Sequence, residues 1–142
     1  MPDPGTPFDT RGLFVLALAA FLSMASMRLC DPLLPILAQS FTVSTGDAAR
    51  TISAFAVAYG LLQLVYGPLA DRFGKFRVIS FAVTACAAAN LLAGWSGSLT
   101  ALVWARTLSG AAAAGIIPMS LAWVGDSVDY QRRQEVLAHI MT

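Results

Sequence analysis

Charged residues are scarce in this chain of 142 residues. Nine Lys and Arg, eight Asp and Glu and one His leave 12% of the sequence charged, whereas 57% is hydrophobic. A typical soluble domain is about one quarter charged. The net charge of +1 and the lack of a basic stripe with interleaved aromatic residues argue against a nucleic-acid partner. This composition is typical of a protein embedded in a lipid bilayer.

Cysteine and histidine are scarce as well, which bears on metal and redox chemistry. Cys30 and Cys86 each fall inside an apolar run, away from any Cys-x-x-Cys or Cys/His cluster. Small buried side chains are therefore favoured over a disulfide or a metal site. No nucleophile and base pair is visible, and the glycines of residues 110–115 lack the Lys of a phosphate-binding loop. We expect no metal, no cofactor and no enzyme activity.

Long apolar runs are what the sequence has in abundance. A membrane-spanning helix needs about 20 mostly apolar residues, and four runs qualify, near residues 12–38, 49–69, 78–95 and 99–124. A fifth helix is predicted to begin near residue 133. The first run could be a secretory signal, but the acidic leader and the continuation of the run past residue 25 argue otherwise. We predict an all-α integral membrane protein.

The basic residues predict the orientation in the membrane. If the spans alternate, one side of the membrane carries Arg50 alone and the other side carries Arg11, Arg72, Lys75, Arg77, Arg132 and Arg133. Short loops rich in Lys and Arg stay on the cytoplasmic side. We therefore expect the amino terminus in the cytoplasm.

A charged turn separates the second and third runs, reading Gly-Pro-Leu-Ala-Asp-Arg-Phe-Gly-Lys-Phe-Arg over residues 67–77. Its glycines permit a tight reversal, and its cations suit lipid headgroups. The turn resembles the loop between helices 2 and 3 of the major facilitator superfamily, Gly-x-x-x-Asp-Arg/Lys-x-Gly-Arg/Lys-x-Arg/Lys, with Phe76 at a place that is often basic. The connection after the fourth run resembles the next cytoplasmic loop of that family. This resemblance implies a cytoplasmic gate made of Gly67, Asp71, Arg72, Gly74, Lys75, Arg77, Asp126 and Arg133.

Three charged residues, Arg28, Asp31 and Arg106, lie well inside the apolar runs, away from their ends. A charge at the bilayer centre costs at least about 2.5 kcal/mol, so these side chains should face a cavity or one another. Arg28 and Asp31 are three residues apart and share a helix face with Met24 and Pro35. A local Arg28–Asp31 pair near the outer surface is almost as well favoured as a direct role for Asp31.

The fourth run resembles a motif of proton-coupled members of the same superfamily, Leu-x-x-x-Arg-x-x-Gln-Gly-x-Gly-Ala-Ala. Residues 102, 106, 110 and 113 match, whereas Ser109 replaces the usual Gln and Ala112 replaces a Gly. Residues 31–35, Asp-Pro-Leu-Leu-Pro, resemble the first-helix signature of drug:proton antiporters, although a kink without ligand contact is about equally favoured. The resemblance implies that Asp31 carries the proton and that Arg106 is its electrostatic partner.

A polar stripe on the second run, Tyr59, Gln63 and Tyr66, is spaced by four and three residues. Such a stripe can line a pocket for amphiphiles, although contact between helices is the commoner use and is favoured for Tyr66. Asn90 is interpreted as a packing or local hydrogen-bonding residue. We assign to the substrate cavity the residues Met24, Pro35, Tyr59, Gln63 and Gly110.

The resemblance implies a fold of twelve or fourteen helices in two six-helix halves, of which residues 1–142 would form part of the amino-terminal bundle. It also implies proton-coupled efflux of small amphiphiles by alternating access in the inner (plasma) membrane. The expected partners are membrane lipid, a small-molecule substrate, protons and a missing carboxyl-terminal half. Two alternatives stay open: a self-contained four-helix dimeric multidrug exporter, and a truncated membrane protein that transports nothing.

Overall fold

The computed structural model describes residues 10–127, and this part of the chain is helical without any strand. The all-α membrane class predicted from the sequence is confirmed. The predicted start of a further helix near residue 133 lies outside the described residues. The described helices are α1 (Thr10–Arg28), α2 (Leu34–Ser40), α3 (Thr45–Ala48), α4 (Arg50–Phe73), α5 (Lys75–Gly94), α6 (Leu99–Ala113) and α7 (Ile116–Ser127).

Three helical stretches are long and apolar enough to cross a membrane, and a fourth apolar helix is shorter. The long stretches are Thr45–Phe73, Lys75–Gly94 and Leu99–Gly125, so α3 continues into α4 and α6 into α7. The shorter helix covers Phe14–Arg28. At 1.5 Å per residue, a stretch of 20 residues spans about 30 Å, which matches the hydrocarbon core of a bilayer.

The first apolar run is broken rather than continuous. We expected one helix over residues 12–38, but α1 ends at Arg28 and α2 begins at Leu34. Tight turns fill the gap, with the amide of Asp31 donating to the carbonyl of Arg28 at 3.1 Å. The break has a physical cause, because Pro32 and Pro35 lack amide hydrogens. Pro35 lies in the first turn of α2, where a helix needs no such donor.

Close packing of α4 against α6 depends on small residues. Gly110 of α6 is buried against Phe55 of α4, and a methyl group there would come within 2.9 Å of the Phe55 carbonyl carbon. Gly115 lies in the same way against the ring of Tyr66, whose hydroxyl donates to the carbonyl of Ala112 at 3.2 Å. Gly110, which we assigned to the substrate cavity, therefore lies at a helix contact of the kind that membrane bundles build from small residues.

The contact at Gly110 leads to a prediction about stability. Gly110→Ala should lower the free energy of unfolding by about 1–3 kcal/mol, because the added methyl group overlaps the Phe55 backbone. Gly60→Ala is the matched control, since a methyl group at Gly60 in α4 meets nothing within 4 Å. Unfolding of both variants in mixed detergent micelles measures the difference. Equal stability of the two variants would contradict the close contact.

Candidate functional site

The most buried charge in the described chain is Arg106 on α6, whose residue is 1% exposed. Its guanidinium lies over the ring of Phe55, 4.3 Å from the ring centroid. Its Nη2 atom donates to the carbonyl of Ser26 on α1 at 2.9 Å. The Phe55 ring in turn stacks on Tyr59, with 6.1 Å between the ring centroids. One cation therefore ties α6 to both α1 and α4 through a hydrogen bond and a cation–π contact.

Arg106 is only partly satisfied by these contacts. Its Nε and Nη1 atoms are buried and have no hydrogen-bond partner among the described residues, and the same holds for the hydroxyl of Ser23. A buried donor without an acceptor costs about 1–3 kcal/mol, and more when the group is charged. The guanidinium therefore has capacity for a further acceptor, and neither of these two nitrogens binds a carboxylate.

Asp31 does not meet Arg106 in this conformation. Its carboxylate pairs with Arg28 at 3.2 Å, and the two side chains are 37% and 80% exposed. Exposed ion pairs contribute about 0–1 kcal/mol, so this pair does little to hold the fold. Arg28 and Asp31 therefore form the local pair that the sequence had left open as an alternative. The expected role of Asp31 in proton transfer stays a prediction.

A cluster of hydrogen-bonded side chains joins three helices beside Arg106. The amide of Asn90 on α5 donates to the hydroxyl of Ser26 at 2.9 Å and to the sulfur of Cys86 at 3.5 Å. The hydroxyl of Ser109 on α6 lies 3.3 Å from the amide oxygen of Asn90. Ser26 is thus bound twice, by Asn90 through its hydroxyl and by Arg106 through its carbonyl.

Sequence reasoning missed the size of this cluster. Asn90 was interpreted as a packing or local hydrogen-bonding residue, and Ser26 and Phe55 were not singled out. Ser109 stands where the family motif has Gln, and the structure brings the amide of Asn90 to Ser109 from the neighbouring helix. The available signal was a strongly polar amide within an apolar run, which is costly in a membrane unless it finds a partner.

The other residues assigned to the substrate cavity do not meet at Arg106. Met24, Pro35 and Gln63 are exposed, and Tyr59 is half-buried. Arg106 and Asn90 instead line a cavity of about 340 Å³ to which none of these four residues contributes. The structure therefore brings together Arg106, Asn90, Ser26 and Phe55, with Tyr59 stacked behind Phe55, and leaves Met24, Pro35 and Gln63 on outer surfaces of the described bundle.

The charged turn is a one-residue link between α4 and α5. Gly74 ends α4 and caps α5 with φ 87°, a left-handed backbone conformation that favours glycine. Asp71 and Arg77 are exposed, and the Arg72 guanidinium lies 5.6 Å from the centroid of the Phe73 ring. An open cleft of about 530 Å³ is lined by Phe73, Gly74, Lys75, Phe76, Arg77 and Trp123.

The other three residues assigned to the gate are Gly67, Asp126 and Arg133. Gly67 lies within α4, and a methyl group there would meet nothing within 4 Å, so packing does not require glycine at this position. Asp126 lies near the end of α7. Arg133 lies outside the described residues. The assignment of a cytoplasmic gate stays a prediction for the whole set.

The three-helix cluster leads to a second prediction. Asn90→Ala should destabilise the protein by about 1 kcal/mol, because interhelical hydrogen bonds in membrane proteins average about 0.6 and reach about 1.7 kcal/mol. Adding Ser109→Gln should restore part of the loss, since the longer amide reaches the space that Asn90 leaves. Thr84→Ala is the control, because Thr84 on the same helix is exposed and bonds only its own helix, at Ser80. Detergent unfolding measures all three, and a double variant less stable than Asn90→Ala would contradict the interpretation.

Comparison with known proteins identifies the family. The model of the Major Facilitator Superfamily matches residues 16–142. Multidrug resistance protein D of Escherichia coli (strain K12) is 30% identical over 98 residues, which are 69% of this chain and 25% of that protein. The puromycin resistance protein pur8 of Streptomyces alboniger is 30% identical over 123 residues, 87% of this chain and 24% of that protein.

A third relative, the multidrug export protein EmrB of Haemophilus influenzae (strain ATCC 51907 / DSM 11121 / KW20 / Rd), is 28% identical over 123 residues, again 87% of this chain and 24% of the relative. The chain thus spans about a quarter of the length of these relatives. The family match covers most of the chain, and the described helices are of the length and composition that it requires. The chain belongs to the major facilitator superfamily of membrane transporters, which are not enzymes.

Proposed function

We propose that the protein takes part in proton-coupled efflux of small amphiphilic molecules by alternating access. The observation that carries the proposal is Arg106, a cation that is 1% exposed within a membrane-spanning helix. Charges at such depth are costly and mark substrate or proton pathways. The names of three relatives, which refer to multidrug resistance, multidrug export and puromycin resistance, support an amphiphilic substrate.

In this proposal Asp31 is the group that exchanges protons. Its carboxylate is partly exposed and, among residues 10–127, forms an ion pair with Arg28 alone, so water and protons can reach it. Protonation removes the charge that pairs with Arg28 and frees the turn between α1 and α2 to move. Arg106 cannot give up its proton, so it keeps a fixed positive charge. This charge acts on Asp31 as Asp31 gains and loses its proton, and on the substrate as the substrate binds and leaves. The backbone around Asp31 suits movement, because Pro32 and Pro35 prevent a regular helix there.

The substrate cavity of the proposal is shared with a second half of the transporter. Met24, Pro35 and Gln63 are exposed and Tyr59 is half-buried, so these side chains are available to face a carboxyl-terminal bundle. Transporters built from two such halves bind substrate near the membrane midplane and rock one half against the other. Membrane lipid, substrate and protons are the other partners that the proposal requires.

The charged turn between α4 and α5 is the proposed cytoplasmic gate. The protein itself is proposed to lie in the inner (plasma) membrane. Asp71, Arg72 and Arg77 are exposed on a turn that Gly74 makes tight. The charges of such a turn can form and break ion pairs with Asp126 and Arg133 as the halves move. In this arrangement α1 and the stretch that contains α4 each cross the membrane once. Two crossings therefore separate the amino terminus from the turn, so a cytoplasmic turn places the amino terminus in the cytoplasm as well.

Replacement of Asp31 tests the proposal. Asp31→Asn, made in the protein expressed from its complete reading frame, should abolish accumulation of amphiphiles driven by a pH gradient in vesicles. Counterflow driven by substrate alone should persist, because that exchange moves no proton. Asp47→Asn is the matched control. Asp47 is also an exposed carboxylate, and it forms an ion pair at 2.8 Å with Arg50, three residues further along the chain. Unchanged gradient-driven transport in Asp31→Asn would remove Asp31 from the mechanism.

A further inference from the structure

The cavity that contains Arg106 lies at the end of the bundle opposite Gly74. It is lined by the turn after α1, by α2 and the residue that follows it, by the last residues of α5 and the link to α6, and by the first half of α6. Its volume of about 340 Å³ falls at the lower end of the range for small-molecule pockets, about 300–1,000 Å³. The larger apolar side chains of the lining are Leu29, Leu33, Leu37, Phe41 and Leu102.

The lining of this cavity carries a positive charge without a matching negative charge. Among the described residues that form it, Arg106 is the only charged one, and two of its nitrogens have no acceptor. The nearby carboxylate of Asp31 is engaged by Arg28, and the amide of Asn90 is engaged by Ser26 and Ser109. A buried cation without a counter-charge is strongly unfavourable, so an anionic group entering the cavity would relieve that cost.

We infer that this cavity binds an amphiphile with an anionic head, with the head at Arg106 and the tail against the leucines and Phe41. The inference goes beyond the proposed function, because this cavity is lined by none of the four residues that would face a second half. It rests on the proposed function for export alone, since binding itself needs no transport. A cationic head of the same size would be repelled by Arg106. Both free nitrogens are covered in this conformation, so the head reaches them after side-chain movements of the kind common at binding sites.

The experiment compares three probes that share a ten-carbon tail: decanesulfonate, decanol and decyltrimethylammonium. The protein is expressed from its complete reading frame and held in nanodiscs of neutral phosphatidylcholine, and equilibrium binding of each probe is measured. Decanesulfonate should bind saturably and at least about tenfold more tightly than decanol, because its head makes charge-assisted hydrogen bonds. Decyltrimethylammonium should show no saturable binding.

Variants locate the site. Arg106→Gln should weaken decanesulfonate binding by about tenfold or more, whereas Arg106→Lys keeps the charge and should lose less of the binding than Arg106→Gln does. Leu33→Trp, which fills the cavity without changing its charge, should abolish binding. Arg50→Gln is the matched control, because Arg50 is an exposed arginine at the same end of the bundle and does not line the cavity.

Several results would overturn the inference. Equal binding of the three probes, no saturable decanesulfonate binding, or an equal loss in Arg50→Gln would show that Arg106 selects no anionic head. If Arg106→Gln does not fold, Leu33→Trp decides, and unchanged binding there excludes the cavity. Adding phosphatidylglycerol separates the two sources of an anionic head, since full competition would assign the cavity to lipid and overturn the substrate class. Failure of the Asp31 experiment would leave these binding results unaffected.

Discussion

A buried guanidinium is the constraint on which the rest of this bundle depends. Arg106 is almost completely enclosed, and each contact that it makes comes from a different helix: the Ser26 carbonyl from α1 and the Phe55 ring from α4. Desolvation makes both contacts worth more than they would be in water, because the cation has no solvent to return to. The positions of α1 and α4 relative to α6 are therefore tied to one side chain.

Close approach of the helices makes those contacts reachable. Gly110, one turn beyond Arg106, lets the α6 backbone meet that of Phe55, and this brings the aromatic ring under the guanidinium. Asn90 on α5, the third helix, donates a hydrogen bond to the hydroxyl of Ser26. Packing, hydrogen bonding and the charge thus support one another. The two free nitrogens of Arg106 are what the arrangement leaves for a ligand or for a change of conformation.

The sequence predicted the helical class, the family and the importance of Arg106, because apolar runs and a charge within them are local signals. It did not predict the break after Arg28, since two prolines either kink or end a helix according to tertiary context. It also could not place Asn90 beside Ser109 or Arg106 over Phe55, because contacts between residues far apart in the chain leave no periodic pattern. From the sequence, Asp31 could pair with either Arg28 or Arg106. The structure shows that it pairs with Arg28.

The most direct test of this account is a double-mutant cycle between Arg106 and Phe55. Phe55→Leu removes the aromatic face and keeps an apolar side chain, and Arg106→Met removes the charge and keeps an unbranched chain. The free energies of unfolding of the wild type, both single variants and the double variant, measured in mixed detergent micelles, give the coupling energy. The account predicts a coupling of about 1–2 kcal/mol. Additive effects, within about 0.3–0.5 kcal/mol, would contradict it.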